Sequence, residues 1–210
     1  MNFNALLLKF LVWRLRNISD KNFILLLAVV VGVLAGVAAV VLKSSVHFIQ
    51  RLLEGSLYLY EINYAYLAYP LVGILITVLI SKYLLKERLG HGITQVLYAI
   101  SKNSGIIRKS RMYSRMLTST FTVGFGGSVG LEAPIVVTGS ALGSNLAQLV
   151  HLNYKKRALM IGCGTAAAIS AIFNSPVAGV IFAIEVILAD VTISLFIPIL
   201  IASVAGSLIS

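Results

Sequence analysis

The chain has 210 residues, of which 59% are hydrophobic and only 11% charged; that is about half the charge of an ordinary soluble domain, so a water-soluble globule is excluded and an integral membrane protein indicated. The formal net charge is +10, but the basic residues flank apolar segments instead of clustering as a nucleic-acid surface would, so DNA and RNA are excluded as partners. Cys163 is the single cysteine, which rules out an intrachain disulfide, and its apolar, small-residue surroundings make it a buried side chain.

Residues 1–18 read as a cytoplasmic interfacial helix. Phe3, Leu6, Leu7, Phe10 and Trp13 fall along one face, with Lys9, Arg14 and Arg16 among the remaining positions. Those charges also interrupt any signal-peptide core. Ser19 or Asp20 can cap the next helix, whose run from Phe23 to Leu42 is uncharged and long enough to cross ~30 Å of hydrocarbon. That helix is expected to continue to about Leu53. Gly32 and Gly36 give it a small-xxx-small face for close helix packing. The connection over 54–66 holds Glu54, Glu61 and four tyrosines (Tyr58, Tyr60, Tyr64, Tyr66), an aromatic belt at a membrane surface. A second span over 67–85 returns to Lys82 and Lys86.

Leu89 to Ser101 flexes at its glycines and then offers about ten helix-compatible residues, too few to cross a bilayer. It reads as a re-entrant or interfacial half-helix starting near Gly92. Arg108 to Arg115 then leads a segment outward into a run of glycines at 124, 126, 127 and 130.

Glu132 follows, the only charge in the apolar stretch from Leu117 to Val150. A charge at membrane depth costs at least ~2.5 kcal/mol on insertion scales, so such residues face a pathway or a partner. Glycines precede Glu132 and Pro134 follows it, which marks a broken helix; irregular backbone at that depth survives only where it is buried in protein or lines a cavity. A helix starting there aims free N–H groups and the positive end of its dipole into the cavity, which makes an anion site. A titratable acid and an anion site on the same residues point to ion permeation gated by a carboxylate. The plain alternative is that Glu132 only caps its helix.

The segment begun at Glu132 returns to about Leu152, and Tyr154 to Phe173 crosses outward. Asn174 to Val177 mark a restart with Pro176 tolerated in the first turn, and that helix is expected to run inward to Glu185 or Asp190. Val191 to Ser210 begins another span and stops mid-pattern, as in the N-terminal piece of a longer chain. Fifteen of the 17 lysines and arginines lie before the first span, between the second span and the next apolar block, or in the connection at Lys155, Lys156 and Arg157. Alternate crossing puts all three regions on one side, and the positive-inside rule makes that side, and the N-terminus, cytoplasmic. His47 and His151 read as interfacial residues without chemistry. The Gly124–Gly130 run lacks the Gly-Lys-Ser/Thr ending of a nucleotide loop.

Three ordered segments resemble the CLC family of chloride channels and chloride/proton antiporters. Gly90-His91-Gly92-Ile93-Thr94 stands where the family has Gly-Ser-Gly-Ile-Pro. Gly130-Leu131-Glu132-Ala133-Pro134 keeps the first, third and last positions of Gly-(Arg/Lys)-Glu-Gly-Pro. The run from Phe173 through Asn174, Pro176, Gly179 and Phe182 to Glu185 is similar to the family's Phe-Asn-Ala-Pro-Leu-Ala-Gly-x-x-Phe-x-x-Glu. The likeness covers most of the chain but only the first half of a family subunit, without the later Gly-x-Phe-x-Pro motif or the pore tyrosine.

The resemblance implies an all-α polytopic membrane protein with broken and re-entrant helices, residues 19–210 forming one half of an inverted-repeat CLC-type pore. It implies a homodimer in a plasma or inner membrane, in contact with lipid, that moves chloride or another small anion and is not an enzyme, with no cofactor. Glu132 becomes the gate. Gly90, His91, Gly92, Ile93, Gly130, Leu131, Ala133 and Pro134 become the anion-binding backbone. His91 replaces a serine and either donates an N–H to the anion or simply tolerates the turn. In the family's antiporters a second glutamate, just after the position of Glu185, relays protons from the cytoplasm; here that position is Val186. The expectation therefore leans to a passive channel, with Glu185, one helical step of ~100° away, as the candidate inner proton relay. Chloride/proton antiport through a non-standard relay, and proton-coupled transport of a different solute, are the alternatives.

Overall fold

The computed structural model describes residues 19–54, 68–85, 92–188 and 193–210, all helices and their connections. The interfacial helix expected over residues 1–18 and most of the tyrosine-rich connection lie outside the described residues.

Helix α1 spans Asp20–Glu54. The Asn22 amide donates to the Ser19 hydroxyl at 3.4 Å, which places the cap at Ser19, and Asp20 sits in the first turn where the helix dipole favours a negative charge. At 1.5 Å per residue this helix is ~52 Å long, well beyond a ~30 Å hydrocarbon core, so it crosses tilted or projects past the membrane. Its two faces differ only in what they touch. Leu27, Val31, Ala35, Leu42 and Val46 are buried, while Leu26, Val30, Val33, Val37 and Val41 form an exposed apolar stripe. Such a stripe suits acyl chains, not water.

Helix α2 (Tyr69–Leu79) continues as a π-turn over Ile80–Leu85. The short α3 (Gly92–Lys102) and α4 (Arg111–Gly124) follow, then α5 (Glu132–Leu149) and α6 (Tyr154–Phe173). Helix α7 (Pro176–Phe182) winds into a π-turn at Ala183–Ile187, and α8 spans Ile193–Ser207. By length and composition α1 and α6 can each cross a membrane; the apolar helices over 69–85, 176–187 and 195–207 are shorter. The half-helix from Gly92 and the crossing from Tyr154 to Phe173 thus lie where the sequence places them. The inward helix after Pro176 does not run on as an α-helix: it converts to the π-turn and ends at Leu188, which is extended, and Asp190 lies outside the described residues.

At the centre is α6, buried at every position from Leu159 to Ala171 and packed against α1, α5, α7 and α8. Lipid tails are as apolar as leucine, so membrane helices associate by close backbone packing and hydrogen bonds. The α5–α6 seam shows both. A Cβ at Gly139 would fall on the carbonyl oxygen of Gly164, and one at Gly164 on that of Gly139. Beside them Ser140 Oγ and Thr165 Oγ1 share a hydrogen bond of 2.7 Å. Gly32 and Gly36 serve the same purpose between α1 and α8, where an added Cβ would approach the carbonyls of Ala202 and Gly206 to 2.6 and 2.8 Å.

Polar side chains fix the short α3. The Gln95 side-chain oxygen accepts from the guanidinium groups of Arg111 and Arg115 on α4. The connection after α3 is clamped to α5: Ser144 Oγ donates to the Gly105 carbonyl at 2.6 Å and accepts from the Ile107 amide at 3.0 Å. One end of the bundle gathers basic residues, with Lys21, Lys155 and Lys156 around one hollow and Arg157 donating to the Ser104 carbonyl at 2.9 Å. The start of α5 lies at the opposite end, beside the outer third of α1.

Candidate functional site

The break that opens α5 is built by glycines. Gly126 has φ +84°, a conformation that costs a glycine nothing and other residues a good deal. Residues 127–130 are irregular and the helix begins at Glu132, with Leu131 at the cap position making no side-chain cap bond. Pro134 is the third helical residue, where no intrahelical N–H bond is lost. Among the described residues the amides of Leu131, Glu132 and Ala133 have no hydrogen-bond partner. These are the orphan donors of a helix start, and together with the macrodipole they equal about half a positive charge.

Glu132 is exposed, and no hydrogen bond or ion pair reaches its carboxylate among the described residues. A carboxylate capping its own helix would show such a bond. Instead Glu132 lines a cavity of about 420 Å³ with Gly130, Leu131, Lys43, His47 and Phe173.

The start of α3 meets α5 a turn below. A Cβ at Gly92 would stand 3.2 Å from Val137 Cγ2 and 3.5 Å from Ala133 Cβ, so the two helix starts converge on one patch of α5. Ala133 and Pro134 are half-buried, and so is Ile93, which packs on the core. Gly90 and His91 lie outside the described residues. A second cavity of about 490 Å³ is lined by Val137 of α5, Thr94 and Gln95 of α3, Arg108 and Arg111. Glu132 and Val137, one lining each cavity, are five residues apart on α5, or ~7.5 Å along its axis.

Glu185 lines neither cavity. It lies exposed in the π-turn, while Val186 is half-buried and packs against the core. The step of ~100° per residue assumed for an α-helix does not hold across this turn, where each hydrogen bond spans one residue more. The cavity beside Glu132 also contains two residues that sequence reasoning missed. Lys43 and His47, with Gln50, face it from α1 at i, i+4, i+7 spacing. That polar stripe beyond the apolar run was visible in the sequence; its position opposite Glu132, some ninety residues away, was not.

Residues 71–210 match a family described as voltage gated chloride channel. The chain is 29% identical over 150 residues to a putative chloride channel protein, ClcB-like, of Ralstonia nicotianae, covering 70% of this chain and 35% of that protein. It is 32% identical over 174 residues to the H(+)/Cl(-) exchange transporter ClcA of Salmonella arizonae, covering 77% of this chain and 36% of that protein. The chain thus spans about a third of the length of the curated relatives it matches. In structure it is similar to a crystallised CLC-type fluoride/proton antiporter, with a TM-score of 0.73 and 27% identity over 90% of this chain and 46% of the other. It also shares the fold of a slow cyanobacterial Cl-/H+ antiporter, with a TM-score of 0.75 and 20% identity over 92% and 47%.

Proposed function

The chain belongs to the voltage-gated chloride channel family, and from that premise we propose that the protein moves chloride across a membrane along a path gated by Glu132. The observation that carries this reading is the junction itself: a carboxylate and amides with no partner among the described residues at one helix start, a second helix start packed against it, and a cavity lined from each. Half a positive charge ~4 Å from an anion, at an effective dielectric of ~20, stabilises it by ~2 kcal/mol. Dehydrating the anion costs more than one helix end returns, so two converging starts and partial hydration are the least a pathway needs. An ionised Glu132 competes with chloride for the same amides. Protonation, or displacement by chloride, frees the position.

Permeation is passive in this reading. Val186 carries no proton, and Glu185 lines neither cavity. The second reading, exchange of chloride for protons, is favoured by the descriptions of the ClcA relatives and of both solved structures as exchangers or antiporters. One experiment separates them. The intact protein is reconstituted in vesicles, a chloride gradient is imposed, and internal pH is followed with a dye, with a proton ionophore as control for potential-driven movement. Flux that follows the chloride equilibrium potential is expected. Uphill proton movement at fixed stoichiometry would establish exchange, and Glu185→Gln would then be the first relay variant to examine. No chloride flux at all would refute both.

A further inference from the structure

Among the described residues, the cavity beside Glu132 is lined by that one carboxylate and by Lys43 and His47, which come from a helix remote in sequence. Lys43 lies on α1 beside His47 and Gln50, while Leu42 and Val46, its neighbours on the helix, are buried. Those two anchors fix the rotation of α1 and hence the direction of the Lys43–His47–Gln50 stripe. Leu131, next to Glu132, lines the same cavity and is neutral. Lys43 is exposed, and among the described residues it makes no ion pair.

Charge decides what this arrangement does. With Glu132 ionised and no other charge in the lining, the mouth would be net negative and would repel the anion it must admit. Lys43 offsets that charge within the described lining. A cavity with low-dielectric walls focuses such a field and raises the local concentration of the opposite ion. We propose that Lys43 is the fixed positive charge that gathers anions at the mouth beside Glu132. This rests on the proposed function and adds to it a determinant of anion capture outside the motif segments.

The test is chloride flux into vesicles holding the intact protein, with outside chloride varied at low ionic strength. Lys43→Gln is expected to raise the half-saturating chloride about two- to fourfold, the effect of one unit charge ~10 Å from the ion's path at an effective dielectric of ~40–80. The maximal flux stays near that of the wild type. The difference disappears in impermeant salt at about 1 M, where the screening length falls to ~3 Å. Lys43→Arg keeps the wild-type value, and Leu131→Arg added to Lys43→Gln restores it. A structural or lipid-anchoring role for Lys43 gives neither the salt dependence nor the rescue from position 131. Unchanged half-saturation in monodisperse Lys43→Gln, a shift that salt does not erase, or failure of Leu131→Arg to restore capture would each overturn the proposal while leaving the pathway standing. If the wild type passes no chloride, the functional reading fails and this inference falls with it.

Discussion

Glu132→Gln removes the charge of the carboxylate at the start of α5 while keeping its size and hydrogen-bonding capacity. At this helix N-terminus the amides of Leu131, Glu132 and Ala133 have no hydrogen-bond partner among the described residues. Half a charge ~4 Å away at an effective dielectric of ~20 is worth ~2 kcal/mol to whichever anion holds that position, a factor of about 30 in occupancy. Protonation forfeits that stabilisation, so lowering outside pH should release the gate and raise wild-type chloride flux by up to about 30-fold. Glutamine has nothing to forfeit: its flux should be high and nearly independent of outside pH. The assay is chloride flux into vesicles with outside pH stepped from about 4 to about 8, a range that brackets ordinary and raised carboxylates. Lys43 and His47 face the same cavity. His47→Gln is the control for the histidine; that variant should keep the wild-type profile. A monodisperse Glu132→Gln protein with the wild-type pH profile would refute the gate, as would a profile flattened by His47→Gln alone.

Two further predictions concern the packing that holds the site in place. Gly139→Val should lower the thermal stability of the purified protein sharply, because its Cβ would fall on the Gly164 carbonyl and overpacking costs at least ~1–3 kcal/mol; Gly130→Ala, with nothing within 4 Å of the new carbon, should leave the melting temperature in detergent close to wild type. The Ser140–Thr165 hydrogen bond of 2.7 Å should contribute only ~0.6 kcal/mol in a double-mutant cycle of Ser140→Ala and Thr165→Val read by reversible unfolding, and a coupling above ~2 kcal/mol would show that α5 and α6 are held by polar contacts more than by backbone proximity.

Much of this architecture follows from one-dimensional patterns, because each depends on local chemistry. The long apolar run of α1, the crossing from Tyr154 to Phe173, the half-helix starting at Gly92 and the helix start at Glu132 could all be read off. Apolar length, proline at a first turn and glycine before a break act within a few residues of themselves. The gate candidate stood out for a similar reason: a single carboxylate in a long apolar segment is conspicuous without any knowledge of its neighbours. The small-residue face of α1 was also legible, although the sequence did not name α8 as its partner.

Long-range contact decided the rest. The meeting of Gly92 with Ala133 and Val137, which brings two separate helix starts together, depends on the clamps of Gln95 to Arg111 and Arg115 and of Ser144 to the loop after α3. The π-turn at Ala183–Ile187 changes which way Glu185 and Val186 face, so a per-residue angle assumed from the sequence misleads there. Lys43 and His47 had no local signature that set them apart from interfacial residues. They join Glu132 only because the burial of Leu42 and Val46 fixes the rotation of α1 and turns its outer polar stripe toward the start of α5, and a helix's rotation is set by what it packs against, not by its own sequence alone.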